Sequence, residues 1–96
     1  MTTRHVKVIG RVQGIGYRRW AENIATKMEL SGWVRNTSDG AVEIMVKGEI
    51  SSVNSFLDEC LKGPAFATVL GIQPVIVPQN APAPVEDGVF KIIASA

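Results

Sequence analysis

Apolar and polar residues alternate along several segments of the chain and recur at three- and four-residue spacings along two others. Alternation is typical of a half-buried strand, and the longer spacing indicates an amphipathic helix. The longer spacing is clearest in the second helical stripe, which contains Val53, Phe56, Leu57, Cys60 and Leu61. The pattern predicts, in chain order, a strand at His5–Val12, a helix at Tyr17–Leu30, strands at Gly32–Thr37 and Ala41–Lys47, a helix ending before Gly63, and strands at Thr68–Val77 and Gly88–Ile93.

Glycine, proline and serine mark the ends of these elements. Gly32 is a candidate terminator of the first helix, and Ser51 or Ser52 is a candidate cap at the start of the second. Asp39 and Gly40 predict a tight hairpin between the second and third strands. Because Pro74 cannot donate a ladder hydrogen bond, the fourth strand is predicted to lie at a sheet edge. A connector over Pro78–Pro84 then leads to the last strand.

The order of elements predicts an α+β fold. Two strand-to-strand crossovers by helices place both helices on one face of the sheet, since such crossovers are right-handed. We therefore predict a ferredoxin-like α/β sandwich, βαββαβ plus a C-terminal strand, with an antiparallel sheet. At 96 residues the chain is expected to form a single domain over residues 1–96.

Composition excludes several classes of site. Apolar residues make up 46% of the chain, which is typical of a globular protein, and the uncharged stretch Gly63–Val85 holds all five prolines, so it does not predict a membrane helix. One cysteine excludes an internal disulfide, and one histidine leaves little room for a zinc site or a histidine-based triad. No metal, cofactor or membrane association is expected. The absence of a targeting segment favours the cytoplasm.

The net charge of +1 conceals an uneven distribution. Residues 1–21 hold five of the ten basic residues and none of the nine acidic ones. A basic segment of this kind is compatible with a solvated face, a nucleic-acid patch or a site for a small anion.

The candidate chemistry lies in residues 10–19 (GRVQGIGYRR), where a strand ends in a glycine loop that opens a helix. Backbone N–H groups in such a loop converge on anions, and the helix N-terminus adds about half a positive charge. Arg18 would place a guanidinium beside the same concavity. The spacing fits neither a Walker A loop nor a dinucleotide fingerprint, and such a loop is most often only a turn.

Two motifs resemble the signatures of the acylphosphatase family. Residues 10–18 resemble the pattern G-x-V-Q-G-V-x-[FY]-R, with Ile15 in place of the usual valine. Residues 32–48 resemble the second signature, from Gly32-Trp33-Val34-Arg35-Asn36 through Gly40-Ala41-Val42 to Gly48. The resemblance implies the fold predicted above and hydrolysis of acyl phosphates to carboxylate and phosphate.

The resemblance also implies roles for particular residues. The phosphate-binding loop would comprise Gln13, Gly14, Ile15, Gly16 and Tyr17, with the Tyr17 side chain expected to pack rather than react. Arg18 would hold the phosphoryl group, and Asn36 would position the attacking water. Phosphate or sulfate is expected to bind at the same loop.

The reaction needs few catalytic groups beyond these residues. The leaving carboxylate has a pKa near ~4, so it requires almost no general acid. Phosphoryl transfer through a loose transition state depends chiefly on positioning and charge stabilisation. The first and second strands are predicted to flank the third in parallel, which brings Arg18 and Asn36 to one edge of the sheet.

Two alternatives stay open at the level of sequence. An RNA-binding module is disfavoured because the first and third strands lack the aromatic residues that stack on bases. A domain that binds phosphate or carbamoyl phosphate without hydrolysing it would retain the loop. We expect a monomer that binds no nucleic acid, although the uncharged segment 63–85 departs from the family pattern and is interpreted as an apolar edge blunted by proline.

Other conspicuous side chains have structural interpretations. Cys60 is expected to be a buried small hydrophobe and His5 a surface residue. Trp20 and Trp33 are expected to pack against the core or the loop.

Overall fold

A computed structural model describes residues 1–76 and 83–96 of the chain, which form a five-stranded sheet with two helices packed on it. The elements, in chain order, are β1 Thr2–Arg11, α1 Tyr17–Lys27, β2 Ser31–Asn36, β3 Val42–Gly48, α2 Ile50–Lys62, β4 Thr68–Pro74 and β5 Phe90–Ile92. In the part of the chain that the structure describes, neither helix combines the length and apolar character needed to cross a bilayer.

The sheet has the strand order β4-β1-β3-β2-β5. Strand β3 pairs antiparallel with both β1 and β2, so β1 and β2 run parallel on either side of it. Helix α1 connects β1 to β2 across β3, and α2 connects β3 to β4 across β1, as predicted for a ferredoxin-like fold. The expectation of a wholly antiparallel sheet was wrong at one edge, because β5 pairs parallel with β2 through Phe90, Lys91 and Ile92. The sheet is therefore mixed.

The core lies between the sheet and the helices. Strand β3 alternates as predicted, with Val42, Ile44 and Val46 fully buried. In α1 the apolar stripe packs inward through Ala21 and Ala25, with Trp20, Ile24 and Met28 partly buried beside them. In α2 the buried residues are Val53, Phe56 and Cys60, whereas Leu61 is half-exposed and lies outside the core, contrary to its predicted place on the stripe.

The end of α1 and the start of α2 differ from the prediction. Helix α1 ends at Lys27 rather than Leu30, and the residue in the left-handed conformation just beyond it is Glu29, with φ 58°. Gly32 instead lies within β2, where an added Cβ would come within 1.9 Å of the carbonyl oxygen of Met45. Helix α2 begins at Ile50 with Glu49 as its N-cap and no side-chain cap, so neither Ser51 nor Ser52 caps it.

Strand β4 lies at a sheet edge, as its proline predicted. It ends at Pro74, before the predicted end at Val77. Val77 and the first part of the predicted connector, residues 78–82, lie outside the described residues. Phe66 and Leu70, which follow α2, are 82% and 77% exposed, so apolar side chains do reach the surface at this edge.

The helix-free face of the sheet carries a polar cluster. Glu43, only 5% exposed, accepts hydrogen bonds from Arg35 and His5, which lie on the two strands flanking its own. His5 is therefore partly buried beside Glu43, to which it is hydrogen-bonded, and is not the surface residue predicted. Trp33 is fully buried beneath the Arg35 guanidinium and donates from Nε1 to the Ala83 carbonyl at 2.9 Å.

Candidate active site

The loop between β1 and α1 is shaped by two glycines with left-handed backbone angles. Gly14 has φ 77° and Gly16 has φ 84°, and an added Cβ would meet no protein atom within 4 Å at either position. The requirement for glycine therefore comes from the backbone conformation rather than from crowding. Gly16 is also the N-cap of α1, and it provides no side chain to cap the helix.

The loop leaves a series of backbone donors unpaired. In the described part of the chain, none of the N–H groups of residues 14–19 donates a hydrogen bond to protein. The first turn of a helix always has such orphan donors, and here neither a side chain nor an acidic residue in the first turn satisfies them. Together with the helix dipole, such donors are an arrangement suited to binding an anion.

A cavity of about 240 Å³ opens beside this loop. It is lined by Val12, Gly14, Gly16, Tyr17, Arg18, Arg19, Asn36 and Ile92. The structure thus brings Arg18 and Asn36 to one cavity from two chain segments, because β1 and β2 are parallel and end on the same side of the sheet.

The cavity is strongly cationic. Arg18 is partly buried and Arg19 is exposed, and within residues 1–76 and 83–96 neither forms an ion pair. None of the described Asp and Glu residues lines the cavity. With no carboxylate to neutralise it, the positive charge is available to a bound anion.

Asn36 ends β2 with its side-chain carbonyl oxygen buried and unpaired. Among the described residues, its Oδ1 is the one buried side-chain oxygen or nitrogen without a hydrogen-bond partner. Its backbone carbonyl is satisfied by the N–H of Ala96 at 3.0 Å. A buried unpaired acceptor is costly, and because Asn36 also lines the cavity, a donor such as water bound there would satisfy it.

Gln13 connects the loop to the hairpin between β2 and β3. Its Nε2 donates to the carbonyl oxygens of Thr37 and Ala41, each at 2.8 Å. Both donors of its amide are thereby used, and the side chain is not among the residues that line the cavity. Ile15, the third residue of the predicted loop, packs its side chain on the hydrophobic core.

The Tyr17 side chain is fully buried beneath the loop. Its hydroxyl donates to the Cys60 carbonyl at 2.6 Å. Residue 64 is proline, so that carbonyl has no helical N–H partner, and the tyrosine supplies the missing donor. Burial, followed by the proximity of Cys60, raises the pKa of Tyr17 above its ordinary value of 10.0. The hydroxyl therefore stays protonated and packs, as expected from the sequence.

Cys60 has the environment of a core residue. It is fully buried, and burial raises the pKa of its thiol to about 12. A thiol this hard to ionise is a poor nucleophile, in agreement with its predicted role as a small hydrophobe.

Sequence reasoning missed three features of this site. Arg19 was given no role by the sequence, yet it lines the cavity. Ile92 reaches the cavity because β5 lies beside β2, a pairing that the pattern did not predict. Gln13 was placed in the phosphate loop without its bonds to the hairpin, which no local pattern records.

The chain matches the family model described as acylphosphatase over residues 4–88. Two curated relatives, both named acylphosphatase, come from Alcanivorax borkumensis and Acidiphilium cryptum. The first is 52% identical over 69 residues, which cover 72% of this chain and 75% of the relative. The second is 40% identical over 91 residues, which cover 95% and 96% of the two chains.

Solved structures show the same similarity. The crystal structure of acylphosphatase from Bacillus subtilis superimposes with a TM-score of 0.79 at 30% identity. The match covers 97% of this chain and 99% of that one. Similarity in sequence and in structure thus extends over nearly the whole chain.

Proposed function

Because the chain belongs to the acylphosphatase family and hydrolyses acyl phosphates, we propose that the reaction takes place in the cavity between Arg18 and Asn36. The single observation that carries this proposal is the buried, unpaired Asn36 Oδ1 at a cavity lined by a free guanidinium. An anion site and a water acceptor are the two parts that hydrolysis of a phosphorylated substrate requires.

Arg18 and the loop bind the phosphoryl group. The planar guanidinium matches two oxygens of a tetrahedral phosphoryl group, and the unpaired N–H groups of residues 14–19 supply further donors. These donors are fixed by the fold before substrate arrives, so little reorganisation is needed as charge develops in the transition state.

Asn36 orients the attacking water. Its Oδ1 accepts a hydrogen bond from that water, which leaves a lone pair of the water oxygen to face phosphorus. Positioning of this kind lowers the activation barrier of hydrolysis, because the water and the phosphoryl group then react within one complex rather than after a chance encounter.

The substrate supplies what the side chains do not. The water oxygen forms a bond to phosphorus while the bond from phosphorus to the acyl oxygen breaks, and that electron pair leaves on the carboxylate. The water proton transfers to a phosphoryl oxygen, and the products are a carboxylate and inorganic phosphate. Since carboxylates are good leaving groups, no protein acid is required.

We propose that this reaction needs no metal ion. The developing charge on the phosphoryl oxygens is matched by the Arg18 guanidinium and the loop donors, which serve the role that a divalent cation has in other phosphoryl transfers. Turnover of benzoyl phosphate is therefore expected to be the same in excess EDTA as without it. Loss of activity on chelation, restored by a divalent cation, would contradict this.

The remaining expectations concern the state of the protein. We propose that it acts as a monomer in the cytoplasm and binds no nucleic acid. The lack of phenylalanine, tyrosine and tryptophan in β1 and β3 supports the last point, because RNA-binding sheets stack bases on such residues. Sedimentation, cell fractionation and salt-dependent retention on single-stranded nucleic acid test the three statements in turn.

Substitution of Asn36 tests the assignment of the water site. Asn36→Ala is expected to lower kcat for benzoyl phosphate by about 100-fold, while the inhibition constant of inorganic phosphate changes much less. Asn54→Ala, on the exposed face of α2, is the matched control and should behave as wild type. A folded Asn36→Ala protein with unchanged kcat would overturn the role of Asn36.

A further inference from the structure

Arg19 is a second cation at the mouth of the cavity. It follows Arg18 in the first turn of α1 and lines the same cavity, but its side chain is exposed whereas Arg18 is partly buried. In the described part of the chain no acidic side chain pairs with it. The mechanism described above gives Arg19 no role.

The helix geometry separates the two arginines. Consecutive residues of an α-helix are rotated by about 100° and do not face one another, so two neighbouring side chains do not share one direction. When Arg18 and the loop donors hold the phosphoryl group, the more exposed Arg19 remains free to contact the acyl part of the substrate.

The rest of the cavity lining is uncharged, unlike the two arginines. Beyond the two glycines and the two arginines, the lining residues are Val12, Tyr17, Asn36 and Ile92, and none of them carries a charge. A purely hydrocarbon acyl group would gain at most a weak contact from the Arg19 guanidinium. An acyl group with a negative charge of its own would gain a charge-assisted hydrogen bond.

We propose that Arg19 determines specificity by selecting acyl phosphates whose acyl group carries a second anionic group. This proposal rests on the proposed function, because it assumes that Arg18 and the loop bind the phosphoryl end. The chemical class of substrate is thus a phosphorylated carboxylic acid with a further carboxylate or phosphate on its acyl chain.

Benzoyl phosphate and its 3-carboxy and 4-carboxy derivatives provide a matched set of substrates. They share the reacting group and the ring, they differ in one carboxylate at two distances, and their rigid rings prevent attack of that carboxylate on the acyl phosphate. The quantity to measure is kcat/KM for each derivative divided by kcat/KM for benzoyl phosphate, in wild type, Arg19→Gln and Arg19→Lys.

The expected result is a change in that ratio. Exposed ion pairs and hydrogen bonds to charged groups predict that Arg19→Gln lowers it by about five- to tenfold for at least one carboxylated derivative. Arg19→Lys should retain part of the preference, and raising the salt concentration should weaken the preference in wild type. Lys27→Gln removes a charge from the exposed last turn of the same helix and should leave all ratios unchanged.

Two results would overturn the proposal. An equal effect of Arg19→Gln on all three substrates would mean that Arg19 acts on the phosphoryl group or only on the general field. An equal change in Lys27→Gln would mean that the preference depends on net charge rather than on the cavity. Failure of the proposed function is distinguishable from both, because benzoyl phosphate turnover would then be insensitive to Arg18→Gln.

Discussion

The contacts of Gln13 predict that its side chain holds the phosphate loop at the correct distance from Asn36. Gln13→Ala removes both hydrogen bonds from Nε2 to the hairpin carbonyls. Each carbonyl keeps another donor, since Thr37 O accepts from Gly40 N at 3.2 Å and Ala41 O from Thr37 N at 3.0 Å. Neither carbonyl is left unsatisfied, so the cost falls near the net value of two hydrogen bonds, about 1–2 kcal/mol.

The consequence for activity is larger than that for stability. A cost of 1–2 kcal/mol lowers Tm by about 4–16 °C for a domain of this size. A loop released from the hairpin can shift relative to Asn36, and displacement by about 1 Å costs up to ~100-fold in rate. We therefore expect kcat for benzoyl phosphate to fall by about tenfold or more, while phosphate still binds to Arg18 and the loop.

Thermal melts followed by circular dichroism, with kcat and phosphate inhibition measured on the same samples, test this prediction. Gln13→Glu keeps the length of the side chain but places an acceptor-only carboxylate against two carbonyl oxygens, so it should lower Tm and kcat at least as much as Gln13→Ala. Gln73→Ala, on the exposed edge strand, is the control and should change neither quantity. A Gln13→Ala protein with the Tm and kcat of wild type would refute the reasoning.

Three further predictions follow from single contacts. Tyr17→Phe leaves the Cys60 carbonyl without a donor and should lower the unfolding free energy by about 1–3 kcal/mol, with kcat nearly unchanged; a large loss of kcat would give the hydroxyl a chemical role. Gly16→Ala forces a side chain into φ 84° and should cost about 1–2 kcal/mol in urea denaturation, whereas Gly71→Ala, with ordinary φ and open space, should cost far less. Burial raises the pKa of Glu43, but its hydrogen bonds to Arg35 and His5 outweigh this and hold the pKa below its ordinary value of 4.5. The stability that these bonds give is therefore fully present above pH 4.5 and is lost as the pH falls through the lowered pKa of folded Glu43. Glu43→Gln should remove this loss of stability from a series of urea denaturations at acid pH.

Much of the fold could be predicted because its signals are local. The alternation in β3 and the stripes of α1 and α2 each arise within one element, and the order of elements then restricts the topology to very few choices. Pro74 correctly identified an edge strand because a missing N–H has the same effect in every sheet.

The errors lie where distant parts of the chain decide the structure. Strand β5 has only three residues, and its parallel pairing depends on β2 rather than on its own pattern. Gly32 was interpreted as a helix terminator, but it lies within β2, where the close approach of Met45 on the neighbouring strand leaves no room for a Cβ. His5 reads as a surface residue until Glu43 is brought beside it from β3.

In the candidate site, too, the features set by local sequence could be predicted and those set by distant parts of the chain could not. The glycine loop and Arg18 are visible in one short segment of sequence. The bridge made by Gln13 joins segments more than twenty residues apart, and the burial of the unpaired Asn36 oxygen likewise depends on the assembled molecule. Arg19 was passed over because its charge alone does not distinguish a cavity from solvent.

The most direct test of the central claim is the turnover of benzoyl phosphate by Arg18→Gln in the presence of EDTA. The account predicts that kcat/KM falls by at least about 1,000-fold and that inhibition by phosphate is largely lost, in a protein with the circular dichroism spectrum of wild type. Arg4→Gln, which removes an exposed charge at the start of β1, should retain full activity. A folded Arg18→Gln protein that hydrolyses benzoyl phosphate as fast as wild type would contradict the claim that Arg18 holds the phosphoryl group.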